Sequence, residues 1–328
     1  MIALGLFLYV PTSVWSQGPG LRTSWSTIVN LSLTAETVSR YPTIASDRMG
    51  NVHVAWVEEQ GDQDGTSMIY YRMWDRQRWS TPTDIILGKW LLLPSLAVDS
   101  KGVIHLVYVS GSALMYSRAQ ANGQPWTSRA WSTPVTLGSN IIARWPEIHV
   151  DAQDRLYVLY SADYTTSVPK VALVYSSDSG GAWSEPAVIS NSGMIASTEF
   201  SNVNRLAIGP RGTLYAIWGE GKNESTSTQT LRVFFSRSES GGAAWNRPVL
   251  LSDNTKPGAE ALAIIVDNRE RVHVLWRNRE NFIVHQWSEN DGVKWSSPQP
   301  ITGTQESQRY GGVSVVGDNV GNFYMSYV

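Results

Sequence analysis

Three histidines recur at matching places along this chain of 328 residues: His53, His105 and His273 each stand six positions after an aspartate, namely Asp47, Asp99 and Asp267. Neutral imidazoles are common metal ligands, so a regular ring of them would suit a cation site. Other copies of the same pattern carry Tyr157, Tyr215 and Tyr324 at that place. A phenol that stands in for an imidazole marks a hydrogen-bonding packing position, so no metal and no other cofactor is expected. There is no cysteine, which removes disulfide frameworks and thiolate metal sites. Gly-x-Ser-x-Gly, His-Glu-x-x-His and phosphate-loop motifs are absent as well.

The charge balance narrows the partners. Lys and Arg number 26 against 28 acidic residues, a formal charge of −2, so nothing favours nucleic acid or an anionic membrane surface. The apolar run at residues 2–10 is too short to span a bilayer. Fifteen Trp and 14 Tyr stand against 6 Phe. One repeated Trp per structural unit explains part of that excess, and aromatic faces that stack on sugars would explain more.

Any such chemistry must be positioned by a repeat. The motif Trp-Ser-x-Pro, with variants, occurs at Trp25, Trp79, Trp131, Trp183, Trp245 and Trp295. A second motif, Asp-x-x-Gly-x-apolar-(His/Tyr)-apolar-x-(Trp/Tyr), ends at Trp56, Tyr108, Tyr160, Trp218, Trp276 and Tyr327. Six units of roughly fifty residues each match the period of a propeller blade. Unit one reads as four strands: A over Tyr41–Ala45, B over Asn51–Val57, C over Met68–Trp74 and D over Trp79–Ile85. Strand B alternates as a half-buried strand does. The fold expected over residues 25–328 is therefore all-β, a six-bladed β-propeller of four-stranded antiparallel blades forming a single domain.

The turn between strands C and D of the third unit, Ser176-Ser-Asp178-Ser-Gly180-Gly-Ala-Trp183, follows Ser-x-Asp-x-Gly-x-x-Trp without a mismatch. Ser and Asp side chains can bond turn N–H groups, Gly tolerates positive φ, and Trp folds back as an apolar plug. Ser288 to Trp295, with Asn290, and Ser238 to Trp245, with Ser240, are weaker copies. The motif resembles the Asp-box, or bacterial neuraminidase repeat, of the sialidase superfamily. Ser176, Asp178, Gly180 and Trp183 are structural on this reading.

The ends of the chain carry two further expectations. Residues 1–16 resemble a secretory signal peptide without a basic n-region, which would place the protein outside the cytoplasm, and the alternative is that Leu4–Val10 is a blade strand. A strand D over Trp25–Leu31 and strands A and B over Gly312–Val328 imply a last blade shared by N- and C-terminal strands. Its strand C would come from Leu4–Val10 or from chain beyond Val328, and the latter is the expectation.

In an A-B-C-D meander the starts of A and C and the ends of B and D share one rim, while the Asp-box turns lie on the other. Long polar B–C loops on the first rim are where binding is expected. The resemblance implies a residue set there. Arg40, in Arg40-Tyr41-Pro42, matches a family arginine that clamps a substrate carboxylate, as its planar fork allows. Arg279, in Arg279-Glu-Asn-Phe-Ile-Val284, matches another. Asp62 or Asp64 falls where the family has its acid/base, Glu199 where a glutamate activates the nucleophile, and Tyr310 where the nucleophilic tyrosine stands. Trp218-Gly219-Glu220 occupies the place of a further family arginine, which this chain lacks. The implied function is a retaining exo-α-sialidase or related glycoside hydrolase acting on a glycan or glycoconjugate. Its alternative is a propeller that binds glycans or protein without catalysis, using Tyr41, Trp145 and the long loops.

Overall fold

The computed structural model describes residues 27–34, 37–59, 64–138, 141–164, 170–190, 195–196, 204–225, 228–252, 259–278, 280, 282–301, 314–317 and 323–326. Within them the chain is all-β, with one short 3-10 turn at Ser128–Ala130. Sheet one runs A Val38–Ser46, B Val52–Glu59, C Thr66–Trp74 and D Thr83–Lys89, hydrogen-bonded in that order. Sheet two repeats it with Leu91–Val98, Val103–Ser110, Ala113–Gln120 and Val135–Thr136. Sheet three has Ile141–Val150, Leu156–Tyr164, Lys170–Ser176 and Ala187–Val188. In sheet four strand A is split into Ile195–Ala196 and Asn204–Ile208, followed by Leu214–Ser225, Thr228–Ser238 and Val249–Leu250. Sheet five has Glu260–Val266, Val272–Arg277, Ile283–Ser288 and Gln299–Pro300. Sheet six is the pair Ser314–Gly317 and Phe323–Ser326.

The expected strand order therefore holds in five antiparallel sheets. Residues 27–31, the described part of the strand D expected over Trp25–Leu31, contain no strand. Residues 1–26 lie outside the described residues, and with them the leader and the alternative blade strand.

Strand A of each sheet packs beside strand A of the next. Side chains stitch these inner strands together at one repeated position. Thr43 accepts from the N–H of Leu96 at 3.3 Å, Ser95 from Ile148 at 3.2 Å and Glu147 from Leu206 at 2.9 Å. Arg205, a donor at the same place, bonds the carbonyl of Leu262 at 3.0 Å instead. The apolar clusters lie between neighbouring sheets: Ile69 and Tyr71 of sheet one meet Ile104 and Leu106 of sheet two, and Val107 and Tyr116 of sheet two meet Val158 and Val174 of sheet three. Because each strand B is buried on both faces, the alternation read from the sequence gives way to continuous burial from His53 to Val57.

Candidate functional site

The register fixes the two rims. Val38 lies opposite Glu59 and Thr66 opposite Lys89, so the starts of A and C meet the ends of B and D. The A–B turns and the Asp-boxes share the other rim.

On that other rim the histidine ring resolves into hydrogen-bonded relays. Asp47 Oδ1 accepts from the N–H groups of Met49 and Asn51, both at 2.9 Å, which closes the turn. Its Oδ2 is 3.5 Å from His53 Nε2, and His53 Nδ1 is 2.6 Å from the Tyr71 hydroxyl. Asp99, His105 and Tyr116 repeat the relay at 3.4 and 2.8 Å. In sheet three the Tyr157 hydroxyl donates to Asp151 at 3.1 Å. In sheet five Asp267 faces His273, which stacks on His285 with ring centroids 5.2 Å apart. Burial holds His53 and His273 below the usual imidazole range. These are packing positions, and the described residues contain no cluster of metal-ligating groups.

The Asp-box is the turn and plug its sequence implies. Ser176 Oγ donates to Asp178 at 2.8 Å and accepts from the Gly180 N–H at 2.9 Å, while Asp178 Oδ1 accepts from Gly181 and Ala182 at 2.9 and 2.8 Å. Trp183 lies edge-on to Tyr116 of the preceding sheet at 5.0 Å, and Trp131 to Tyr71 at 5.7 Å. Each plug therefore seals one sheet against its neighbour.

On the candidate rim, Arg40 Nε lies 3.1 Å from a Glu59 carboxylate oxygen, and the Arg40 side chain stays 52% exposed. Arg40-Tyr41-Pro42 forms a bulge in strand A, with Tyr41 at φ 53°. The same device recurs at Leu93-Pro94, φ 54°, and Trp145-Pro146, φ 52°. Tyr41 leans on the core between sheets one and two, and the Trp145 carbonyl accepts from Asn204 at 3.2 Å. Asp64 is exposed and 3.8 Å from Lys89 Nζ. Asp62, Glu199, Arg279 and Tyr310 lie outside the described residues.

Two carboxylates to which the sequence reading gave no role end strand B on this rim. Glu58, buried, accepts hydrogen bonds from Thr34 at 3.1 Å, Thr37 at 2.6 Å, Ser39 at 2.6 Å and the Trp56 indole at 2.6 Å. Glu220, fully buried, accepts from the Trp218 indole. Burial pushes the Glu220 carboxyl up to about 7, against the opposing pull of the Trp218 N–H and the Lys170 charge. The repeated Trp-x-Glu at 56–58 and 218–220 was the available signal. An exposed aromatic, Trp90, joins sheets one and two at φ 51°; it belongs to no repeated Trp position. A cavity of about 200 Å³ lined by Asp151, Gln153, Gly209 and Gly212 lies on the opposite rim, among the A–B turns of sheets three and four.

Sheets hung in sequence on their inner strands, with Asp-box plugs between them, define a repeat protein of the sialidase-like class. Residues 113–317 match the BNR repeat-like domain, and the chain belongs to that family. No curated protein matches it. Among solved structures it is similar to a protein of unknown function from Dyadobacter fermentans, with 13% identity over 89% of this chain and 94% of that one and a TM-score of 0.59. It is likewise similar to an ulvan lyase of a new polysaccharide lyase family, with 12% identity over 83% of this chain and 75% of the other and a TM-score of 0.60. The Trypanosoma rangeli sialidase in complex with sialic acid shares 12% identity over 88% of this chain and 51% of its own, with a TM-score of 0.53. At these identities the likeness carries the fold.

Proposed function

We propose that the chain closes into a six-bladed propeller and acts on glycans at the rim of Arg40. The concrete form is a retaining exo-α-sialidase or related glycoside hydrolase. The observation that supports it is Arg40: Glu59 braces its Nε while half of the side chain stays in solvent, as a carboxylate clamp requires. Arg279 would be the second clamp. An anomeric carboxylate repels an anionic nucleophile, so neutral Tyr310 would attack the anomeric carbon while Glu199 takes its proton. Asp62 or Asp64 would protonate the departing glycosidic oxygen and then take a proton from the water that frees the sugar.

One observation favours a second reading, a glycan- or protein-binding propeller without hydrolysis. At the place of the third clamp arginine stands buried Glu220, which offers a carboxylate ligand no positive charge. Hydrolysis of a fluorogenic sialoside by the full chain, with Tyr310→Phe as the comparison, separates the two. Turnover abolished in the variant supports the hydrolase, and no turnover across a wide pH range supports the binding propeller.

A further inference from the structure

Trp90 is held in a way that no packing role explains. Its φ of 51° lies in the left-handed region that side chains other than glycine rarely adopt. Both of its backbone groups are pinned: the N–H donates to the Gly65 carbonyl at 2.8 Å, and its carbonyl accepts from the Gly111 N–H at 3.1 Å. The indole lies directly on Gly65, where a Cβ would come within 2.2 Å of Cε2 and 2.6 Å of Cδ2 and Cζ2. Only a glycine leaves room for that ring. Gly65, just ahead of strand C of sheet one, therefore supports the indole from beneath, while 58% of the residue remains exposed. A tryptophan set in strained backbone, laid on bare main chain and left 58% open to solvent forms a platform that no other described residue covers.

The flanking groups indicate the partner's chemistry. Lys89, adjacent in sequence, and Asp64, adjacent to Gly65, face each other at 3.8 Å, and both are exposed. A flat π surface beside one ammonium donor and one carboxylate acceptor matches a pyranose, whose axial C–H groups form an apolar face and whose hydroxyls form a polar edge.

We propose that Trp90, backed by Gly65 and flanked by Asp64 and Lys89, is a stacking subsite for a pyranose ring of an oligosaccharide. The proposal rests on the glycan-acting reading above and adds to it the residues that would recognise a sugar ring independently of any carboxylate. It requires no sialic acid: the ring stacks on the indole, Asp64 accepts from hydroxyls and Lys89 donates to them.

The test uses the full chain on an array of neutral and acidic oligosaccharides, followed by dissociation constants for the tightest ligand with wild type, Trp90→Ala, Trp90→Phe and Lys89→Ala. Trp90→Ala is expected to weaken binding about tenfold or more, with Trp90→Phe recovering most of it because a flat ring returns. Lys89→Ala is expected to weaken it severalfold. Thermal melting of Trp90→Ala checks that the exposed side chain was not holding the fold. Wild type that binds sugar with Trp90→Ala within twofold of it overturns the subsite and leaves the glycan reading standing. Wild type that binds no sugar on the array overturns the glycan reading and the subsite together.

Discussion

Gly180→Ala is the sharpest probe of how the sheets hold one another. Gly180 has φ 83°, and a Cβ there would lie 2.0 Å from the Tyr116 hydroxyl and 2.4 Å from Tyr116 Cζ. Tyr116 cannot retreat cheaply, since it is 2% exposed, bonds His105 at 2.8 Å and carries the Trp183 plug on its ring. Placing an L side chain in the left-handed region costs about 1–2 kcal/mol. Overpacking a filled core adds about 1–3 kcal/mol, and the displaced hydroxyl's bond to His105 about 1 kcal/mol more. The expected loss is thus about 3–6 kcal/mol by those same estimates. Gly111→Ala isolates the backbone contribution, because Gly111 has φ 62° and nothing within 4 Å of its would-be Cβ. It should lose only about 1–2 kcal/mol. Urea unfolding of the two variants, followed by near-ultraviolet circular dichroism, reads the difference directly. Equal losses would refute the claim that the Asp-box glycine is required by the neighbouring sheet rather than by its own turn.

The remaining predictions concern the candidate rim. Burial raises the folded Glu220 carboxyl to about 7 from its ordinary 4.5. Its contribution is therefore complete below about pH 4.5 and is lost as pH rises through about 7, on the order of 3 kcal/mol in all. Glu220→Gln should flatten that part of the stability-against-pH curve, and an unchanged curve would remove Glu220 as its cause. Arg40→Ala should lower kcat/KM for a sialoside by about thirtyfold, corresponding to about 2 kcal/mol of lost charge-assisted bonding; an unaltered value would exclude Arg40 from the clamp. Tyr310→Phe should abolish that turnover while leaving the melting temperature within a few degrees, which differential scanning fluorimetry checks.

The amino-acid sequence by itself determined what depends on neighbours along the chain. The Asp-box could be read because Ser176, Asp178 and Gly180 bond within a single turn. The A–B turns could be read because each aspartate bonds N–H groups two and four residues on, as Asp47 does with Met49 and Asn51. The order of four antiparallel strands followed from the same local punctuation. The histidine positions were legible as packing sites because tyrosine replaced them in other units, although their partners, Tyr71 and Tyr116, were not. The tertiary structure alone decided which distant groups meet. Glu58 gathers hydroxyls from Thr34, Thr37 and Ser39, residues brought to it across the sheet edge. Arg40 finds Glu59 through strand pairing, and Trp90 finds its seat on Gly65 through a contact between loops. Such contacts have no fixed spacing in the chain. They are set by long-range pairing and by the packing of one sheet on the next, which periodicity and turn chemistry do not encode.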